Sequence, residues 1–172
     1  MVAALPLCPA IKLYLIDPDN LNRPYSIDEI QSILDNTPYW TFCWAGGQAL
    51  AHYILIHREE FAGKRILDFG AGSGVVAIAA AMAGAAQVIA CDIDPDAIDA
   101  VNANAALNRV PVVTCPALVE APSALDWIIA ADVLYDRDNF HFLNHFCHRA
   151  PDILVADSRV NAISLAPLPA DR

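Results

Sequence analysis

A glycine-rich turn is the segment of this sequence best suited to chemistry. Asp68, Gly70, Gly72 and Gly74 form the pattern D-x-G-x-G-x-G between an apolar run and an alanine-rich run. Glycines allow a sharp turn on which a ligand can lie directly against the backbone, and the following helix contributes N–H groups and the positive end of its dipole. A dinucleotide-binding turn, G-x-G-x-x-G, would need glycine where Val75 stands. The spacing therefore indicates a ligand-binding turn of a different kind.

Asp92 is expected to complete this site. It ends the next apolar run, 22 residues after Gly70. A carboxylate at this distance can accept hydrogen bonds from both hydroxyls of a ribose. Asp94 and Pro95 follow with the residue types of an N-cap and a first helical position, so we expect Asp94 to cap a helix. The sequence thus predicts a nucleoside-containing ligand between the glycine turn and Asp92.

A second pair of candidate residues, Asp132 and Tyr135, follows a later apolar run that ends at Ala131. Ligands bind at the carboxyl ends of the strands in a parallel sheet, so both side chains are candidates for the site. The alternatives are a helix or turn cap for Asp132 and a core aromatic for Tyr135. Trp44 is expected to cover the ligand, with core packing as the alternative.

Short apolar runs that alternate with helical patterns must position these residues. Strands are predicted over residues 65–69, 87–91, 112–114, 127–131 and 153–156, and helices over 74–83, 95–108 and 139–148. This alternation predicts an α/β, Rossmann-like three-layer sandwich with a mainly parallel sheet, whose ligands bind at the carboxyl ends of the strands. Residues 1–172 are expected to form one domain. In it, residues 1–62 are a leader that covers the site and residues 63–157 are the cofactor-binding core.

The leader is predicted to contain one strand and two helices. Apolar and polar residues alternate over residues 11–15, as in a strand. A capping box at Ser26 opens a helix that runs to about Asn36, and a further helix covers residues 44–57.

Composition bounds the class of protein and of ligand. The chain has 172 residues, 56% of them hydrophobic and 17% charged, which excludes a disordered chain. Twenty acidic residues against ten basic ones give a net charge of −10. A negative surface repels nucleic acid and suits a cationic ligand.

The cysteines and the apolar stretches bear on the cellular compartment. Five widely spaced cysteines without a C-x-x-C pair indicate buried thiols in a reducing compartment. The first sixteen residues lack the basic region of a signal peptide, and no apolar stretch is long enough to span a membrane without interruption. We therefore expect a soluble, cytoplasmic protein. His141, His145 and His148 share one helix face, but such spacing often arises by chance, and we expect no metal.

The segment ILDFGAGSGVVAIAAAMAGAAQVIACDIDPDAI resembles the cofactor half of class I, seven-β-strand methyltransferases, which use S-adenosylmethionine. The resemblance implies that Asp68 contacts the methionine end of the cofactor, that the glycine turn passes beneath it, and that Asp92 holds its ribose. Ala131 is expected to contact the cofactor as well. Residues 115–118 contain no acid, so no partner for the adenine amino group is assigned.

Two further segments narrow the resemblance. The sequence PYWTFCWAGGQALA, residues 38–51, is similar to the segment before the cofactor domain in the lysine methyltransferases of the electron transfer flavoprotein β-subunit and in their bacterial relatives. Asp132 and Tyr135 fit the D-x-x-Y motif of protein lysine methyltransferases, rather than the N-P-P-Y or D-P-P-Y that is common in enzymes acting on nucleobases or glutamine. This resemblance implies that Asp132 orients the acceptor nitrogen and that Tyr135 forms a pocket wall whose hydroxyl helps to align it. An aromatic, partly dry wall favours the neutral amine.

This resemblance implies methyl transfer from S-adenosylmethionine to a protein lysine, with S-adenosylhomocysteine as product. It makes the electron transfer flavoprotein β-subunit a candidate acceptor. Two alternatives stay open: N-methylation of a small amine or nicotinamide-like heterocycle, and a non-catalytic cofactor-binding module. The family ends in a helix and an antiparallel hairpin after the fifth strand. The 15 residues that follow Asp157 are too few for both, so the hairpin is expected to be missing or incomplete.

Overall fold

The structure is a computed structural model in which residues 1–158 are described. The strands are β1 (Val2–Ala4), β2 (Lys12–Tyr14), β3 (Arg65–Phe69), β4 (Gln87–Cys91), β5 (Val113–Cys115), β6 (Trp127–Ala131) and β7 (Asp152–Ala156). The α-helices are α1 (Pro18–Leu21), α2 (Ile27–Asp35), α3 (Ala45–Ile56), α4 (Arg58–Phe61), α5 (Val75–Met82), α6 (Pro95–Asn108) and α7 (His141–Cys147). Short 3₁₀ turns cover Tyr39–Thr41, Leu118–Glu120 and Arg137–Phe140.

A five-stranded parallel sheet forms the centre of the fold, in the order β5-β4-β3-β6-β7. The inner strands are short apolar runs whose side chains are buried, as a parallel sheet covered on both faces requires. The chain leaves β3 toward β4 and β5, then returns to β6 on the other side of β3. This reversal opens a crevice at the carboxyl ends of β3 and β6, where ligands bind in such sheets.

The predicted α/β class with a mainly parallel sheet is confirmed. For most elements, the predicted boundaries differ from the observed ones by one or two residues. β5 lies one residue later than expected, and the segment predicted as a helix from residue 139 begins as a 3₁₀ turn before α7. Turns of this type are frequent at helix starts.

The leader begins with a strand pair that the alternation in the sequence did not fully predict. β1 pairs with β2 in an antiparallel ribbon, although only β2 was expected. The outer edge of β2 docks on α6, because the Asn104 and Asn108 side chains bond its backbone. Asn104 Oδ1 accepts from the Tyr14 N–H at 2.6 Å, and Asn108 bonds both the N–H and the carbonyl of Lys12. These two amides, four residues apart on one helix face, cover an otherwise unpaired strand edge.

Two helices of the leader were predicted, and the structure contains both. The capping box of α2 is formed, since Ser26 Oγ accepts from the Glu29 N–H while the Glu29 carboxylate accepts from the Ser26 N–H. α3 packs on α5 in a shared apolar core, with Leu50, Ala51 and Ile54 buried. This packing places the first turn of α3 beside the carboxyl ends of the strands.

Several sequence-based expectations concern absences. Within residues 1–158, no helix is both long and apolar enough to cross a membrane, and no cluster of three or more ligating side chains could hold a metal ion. All five cysteines lie in this range, and each is a free thiol. The expected absence of a C-terminal hairpin concerns residues beyond 158, which lie outside the described part of the chain.

Candidate functional site

An open cavity of about 540 Å³ lies at the carboxyl ends of β3, β4 and β6. Six of its lining residues are the last residue of one of these strands or the residue that follows it, namely Phe69, Gly70, Cys91, Asp92, Ala131 and Asp132. Its volume is that of a typical small-molecule site. The cavity is where the parallel alternation predicted the chemistry, and most of the candidate residues line it.

The glycine turn forms one wall of the cavity through Gly70 and Gly72. Gly70 has φ +69°, and a Cβ there would stand 2.5 Å from Val133 Cγ1, so a side chain is excluded by both backbone conformation and space. The Gly70 N–H donates to the Cys91 carbonyl at 2.8 Å, which fixes the turn to the end of β4. The turn therefore presents bare backbone to the cavity.

Asp92 lines the cavity and is held by the backbone around it. Its Oδ2 accepts from the Gly72 N–H at 2.8 Å and its Oδ1 from the Asp94 N–H at 3.0 Å. Burial raises the pKa of this carboxyl above its ordinary value, while hydrogen bonds from the surrounding backbone oppose the rise. A carboxylate offers about four lone-pair sites, so two donors leave capacity for the hydroxyl groups of a ligand. Asp94 caps α6 as predicted, with its Oδ1 accepting from the Asp96 N–H.

Asp68 and Gly74 are not among the residues that line the cavity. Asp68 is buried, and its Oδ2 accepts from the N–H of Ala77, in the first turn of α5, at 2.9 Å. Burial raises the pKa of Asp68 to about 7. Gly74 precedes α5 with φ +79°, and a Cβ there would stand 3.2 Å from Val101. Both residues support the turn on the side away from the cavity, through contacts with α5 and Val101. Contact of either residue with a cofactor stays a prediction.

Asp132 lines the cavity and is almost fully buried, with φ +53°. Its Oδ1 accepts from the Ser158 N–H at 2.8 Å and the Ser158 hydroxyl at 2.6 Å, and its Oδ2 accepts from the Gly47 N–H at 3.2 Å. Gly47 lies in the first turn of α3, whose N-cap, Trp44, supplies no side-chain cap. Asp132 thus caps α3 across the fold, which was the alternative to its orienting role, and it also faces the cavity.

Asp68 and Asp132 play the same structural part on α5 and α3. Each helix begins after a residue whose side chain provides no cap, Gly74 and Trp44 respectively. In each case a carboxylate from the end of a central strand accepts a first-turn N–H instead. A carboxylate at a helix N-terminus stabilises both the unpaired N–H and the helix dipole. The sequence contains no local signal for either contact, because donor and acceptor lie far apart in sequence or across a turn.

Aromatic side chains line the cavity beside Asp132. The rings of Tyr39 and Tyr135 are 5.6 Å apart, and those of Tyr39 and Trp44 are 6.3 Å apart. Trp44 Nε1 donates to the Tyr39 carbonyl at 3.0 Å, which holds the indole over this segment. Trp44, Tyr135 and Tyr39 therefore lie in the cavity wall, while contact of Trp44 with a cofactor and contact of Tyr135 with an acceptor stay predictions.

Several lining residues were not predicted from the sequence. Two are aliphatic side chains that are almost fully exposed, Ile93 at 88% and Val119 at 82%. Ile93 lies between Asp92 and Asp94, and Val119 follows β5, in the segment where the sequence offers no acid for an adenine. The available signal for Ile93 was an isoleucine between two aspartates at a strand-to-helix turn, and the mainly apolar segment 115–122 gave no such signal for Val119. The remaining unpredicted aromatic lining residues are Trp40, Phe69 and Phe142.

The charged side chains that line the cavity are all acidic. Asp92, Asp94 and Asp132 are its charged lining residues, and the described lining contains no lysine or arginine. Carboxylates without a basic partner favour a cationic ligand and disfavour a diphosphate. The wall therefore suits a positively charged group more than a dinucleotide.

Comparison with known proteins agrees with this geometry. The family described as ribosomal protein L11 methyltransferase (PrmA) matches residues 50–136. The electron transfer flavoprotein β-subunit lysine methyltransferase of Mus musculus is 38% identical over 128 residues, which cover 70% of this chain and 50% of that protein. The protein of the same name from Danio rerio is 44% identical over 103 residues, covering 58% of this chain and 40% of that protein. The chain thus spans half or less of the length of these relatives.

A solved structure of a methylase shares the fold over part of its length. The ribosomal protein L11 methylase of Lactobacillus delbrueckii subsp. bulgaricus superposes with a TM-score of 0.52 at 28% identity, over 61% of this chain and 54% of that one. The family match covers half of the chain and contains the glycine turn, Asp92, Asp132 and Tyr135. The resemblance to class I methyltransferases is thereby confirmed, and the chain belongs to the ribosomal protein L11 methyltransferase (PrmA) family.

Proposed function

We propose that this chain binds S-adenosylmethionine in the cavity and transfers its methyl group to a lysine side chain of a protein. The observation that carries the proposal is the cavity itself, open over a bare glycine turn, bordered by Asp92, and lined by three carboxylates without a cation. Membership of a methyltransferase family supports the cofactor and the reaction.

The residues present fit this cofactor. Asp92 would bind the ribose hydroxyls through its remaining lone pairs, and Gly70 and Gly72 would lie against the cofactor. Ile93 and Val119 would pack on the faces of the adenine, and Ala131 would border the methionine portion. When bound, S-adenosylmethionine supplies a methyl group on a positively charged sulfur. The three carboxylates stabilise such a charge.

Asp132 and the aromatic residues of the cavity wall would bind the lysine that accepts the methyl group. A lysine attacks as the free amine, although its ordinary pKa is about 10.4. The rings of Tyr39, Trp44 and Tyr135 provide a partly dry surface, and desolvation there favours loss of the ammonium proton to solvent. The Asp132 carboxylate, fixed by three donors, would then orient the nitrogen by accepting one of its hydrogens.

The names of the relatives support a protein acceptor. Those of mouse and zebrafish are named for the β-subunit of the electron transfer flavoprotein. We therefore propose that the β-subunit of the source organism is the first acceptor to test. The acidic chain with its five free thiols also fits a cytoplasmic enzyme that does not act on nucleic acid.

The test has a cofactor arm and an acceptor arm. Calorimetry compares S-adenosylmethionine with NAD, and we expect the former to bind at least about a hundredfold more tightly; preferential binding of NAD would refute the cofactor. Tritiated S-adenosylmethionine is then incubated with the purified β-subunit and separately with a lysate of the source organism. A labelled protein whose label is found in lysine supports the proposal. Label only in small molecules would indicate an amine or heterocycle acceptor, and no label would indicate a non-catalytic module.

A further inference from the structure

Helix α2 carries an apolar face that the described part of the protein leaves open. Ile27, Ile30, Ile33 and Leu34 recur at helical spacing, and no residue of α2 is buried. Ile27 is 85% exposed, Leu34 68%, Ile30 47% and Ile33 40%. Four large aliphatic side chains on one face of a nine-residue helix make a contiguous apolar surface, which on a protein surface marks an interaction site. We call these four residues the α2 face.

The α2 face is joined to the cavity by a short hydrogen-bonded connection. The Thr37 hydroxyl donates to the Ile33 carbonyl at 3.1 Å, and the Tyr39 N–H donates to the Thr37 carbonyl at 2.8 Å. Tyr39 lines the cavity and contacts Trp44 and Tyr135. Only Asn36, Thr37 and Pro38 separate the end of α2 from the cavity wall. A partner that covers the α2 face would therefore lie close to the acceptor side of the cavity.

The acidic residues around α2 indicate which kind of partner surface would bind there. Residues 17–38 contain five acidic side chains and a single basic one, Arg23, whose guanidinium is paired with Glu29. Helices that lie on membranes are rich in Lys and Arg, which α2 lacks. A second copy of the chain would bring like charges together. An apolar face within an acidic surface instead fits a protein that presents aliphatic side chains next to lysines.

We propose that the α2 face is the docking surface for the methyl-accepting protein, which contacts it through an apolar patch flanked by basic residues. This inference rests on the proposed function. The partner supplies its lysine to the cavity while its neighbouring surface binds α2. The α2 face thus contributes to acceptor recognition, and it takes no part in cofactor binding.

The test uses variants at the two most exposed positions. Ile27→Gln/Leu34→Gln removes apolar surface while retaining good helix formers. Ile56→Gln is the matched control, an isoleucine that is 58% exposed at the far end of α3 from the cavity. Tritiated S-adenosylmethionine and a lysate of the source organism are the probes, and the initial rate of protein labelling is measured along with cofactor affinity by calorimetry. We expect the double variant to label the acceptor about ten- to a hundredfold more slowly at low acceptor concentration. Its cofactor affinity, and both readouts for Ile56→Gln, should equal those of the wild-type chain.

The outcomes separate this proposal from the one on which it rests. Equal labelling by the wild type and the double variant would overturn the docking surface alone. An absence of labelled protein with the wild type, which nevertheless binds the cofactor, would overturn lysine methylation and the docking surface together. Sedimentation analysis and binding to vesicles of phosphatidylcholine and phosphatidylglycerol are measured in parallel. A dimer or vesicle-bound state that the double variant abolishes would assign the α2 face to self-association or to lipid instead.

Discussion

At the scale of single residues, the carboxylates of Asp92 and Asp132 both accept hydrogen bonds from the backbone and line the cavity. Asp92 bonds the N–H of Gly72 and that of Asp94, and Asp132 bonds Gly47 and Ser158. Such contacts fix a carboxylate before any ligand arrives, which lowers the entropy cost of binding. Substitutions at these positions therefore affect both stability and function, and a useful experiment measures the two separately.

Asp92→Asn tests the assigned ribose contact. Hydrogen bonds to a charged group contribute about 1.5–3 kcal/mol, so we expect the affinity for S-adenosylmethionine to fall about ten- to a hundredfold in calorimetry. Asp96→Asn is the matched control, because Asp96 lies four residues further on, in the first turn of α6, and does not line the cavity. Unchanged affinity of Asp92→Asn, with an intact melting transition, would show that Asp92 does not hold the ribose.

Asp132→Asn tests the acceptor side. An amide presents a single acceptor oxygen, so a donor at Gly47 or at Ser158 loses its partner, and we expect a stability loss of about 1–3 kcal/mol in urea unfolding. Turnover with a protein acceptor should fall about ten- to a hundredfold while cofactor affinity is retained. Asp136→Asn is the control in the same loop, since asparagine can replace its capping side chain. Normal turnover of a folded Asp132→Asn enzyme would exclude the orienting role.

Asp68 gives a prediction for pH. Its pKa is raised to about 7 by burial, whereas the unfolded chain releases this proton near pH 4. The folded state therefore holds more protons between these values, and the stability that Asp68 contributes is lost as the pH rises through this window. Between pH 5 and pH 8 we expect the free energy of unfolding of the wild type to fall by about 3 kcal/mol relative to Asp68→Asn. Parallel unfolding curves for both proteins across this range would contradict the assignment.

At the scale of elements, the first turn of α3 is the most constrained part of the leader. Gly46 lies so close to Asp132 that a Cβ there would stand 2.6 Å from Oδ2 and 2.9 Å from the Ala156 carbonyl. Glycine at this position thus lets the helix approach the ends of β6 and β7. The pair Gly46-Gly47 belongs to the segment that resembles the lysine methyltransferases, and the structure gives the physical reason for Gly46.

Gly46→Ala separates helix propensity from packing. Propensity alone predicts that alanine stabilises α3 by up to about 1 kcal/mol. The contact with Asp132 predicts instead a destabilisation of about 2–3 kcal/mol and a loss of turnover, because α3 must move. Gly63→Ala is the comparison, since a Cβ there meets nothing within 4 Å and the positive φ alone costs about 1–2 kcal/mol. A more stable Gly46→Ala protein in urea unfolding would show that α3 is free to shift.

The sequence predicted those features that depend on local pattern or on the shared edge of a parallel sheet. The glycine turn, Asp92, Asp132 and Tyr135 follow strands whose carboxyl ends must meet, so their convergence on one cavity was foreseeable. The docking of β2 on Asn104 was not, because an interior asparagine in a helix carries no sign of a strand about 90 residues away. The caps that Asp68 and Asp132 provide were hidden for the same reason.

At the scale of the whole molecule, the net charge of −10 acts on any basic acceptor before contact. We expect kcat/KM for a protein acceptor to fall several-fold between about 50 and 300 mM NaCl, because exposed charges are screened over a Debye length of about 10 Å or less. Cofactor affinity, governed by partly buried carboxylates, should change less over the same range. A salt-independent rate with a protein acceptor would show that the acidic surface has no part in recruitment.

The Asp132 carboxylate connects three segments that are distant in sequence. It follows the end of β6 and accepts hydrogen bonds from the first turn of α3 and from Ser158. The first turn of α3 is therefore fixed to the wall of the cavity, whereas the outer aliphatic side of α2 makes no such attachment in residues 1–158. Under the proposed docking, mutations on that outer side would change recognition of the acceptor while leaving the hydrogen bonds of Asp132 intact.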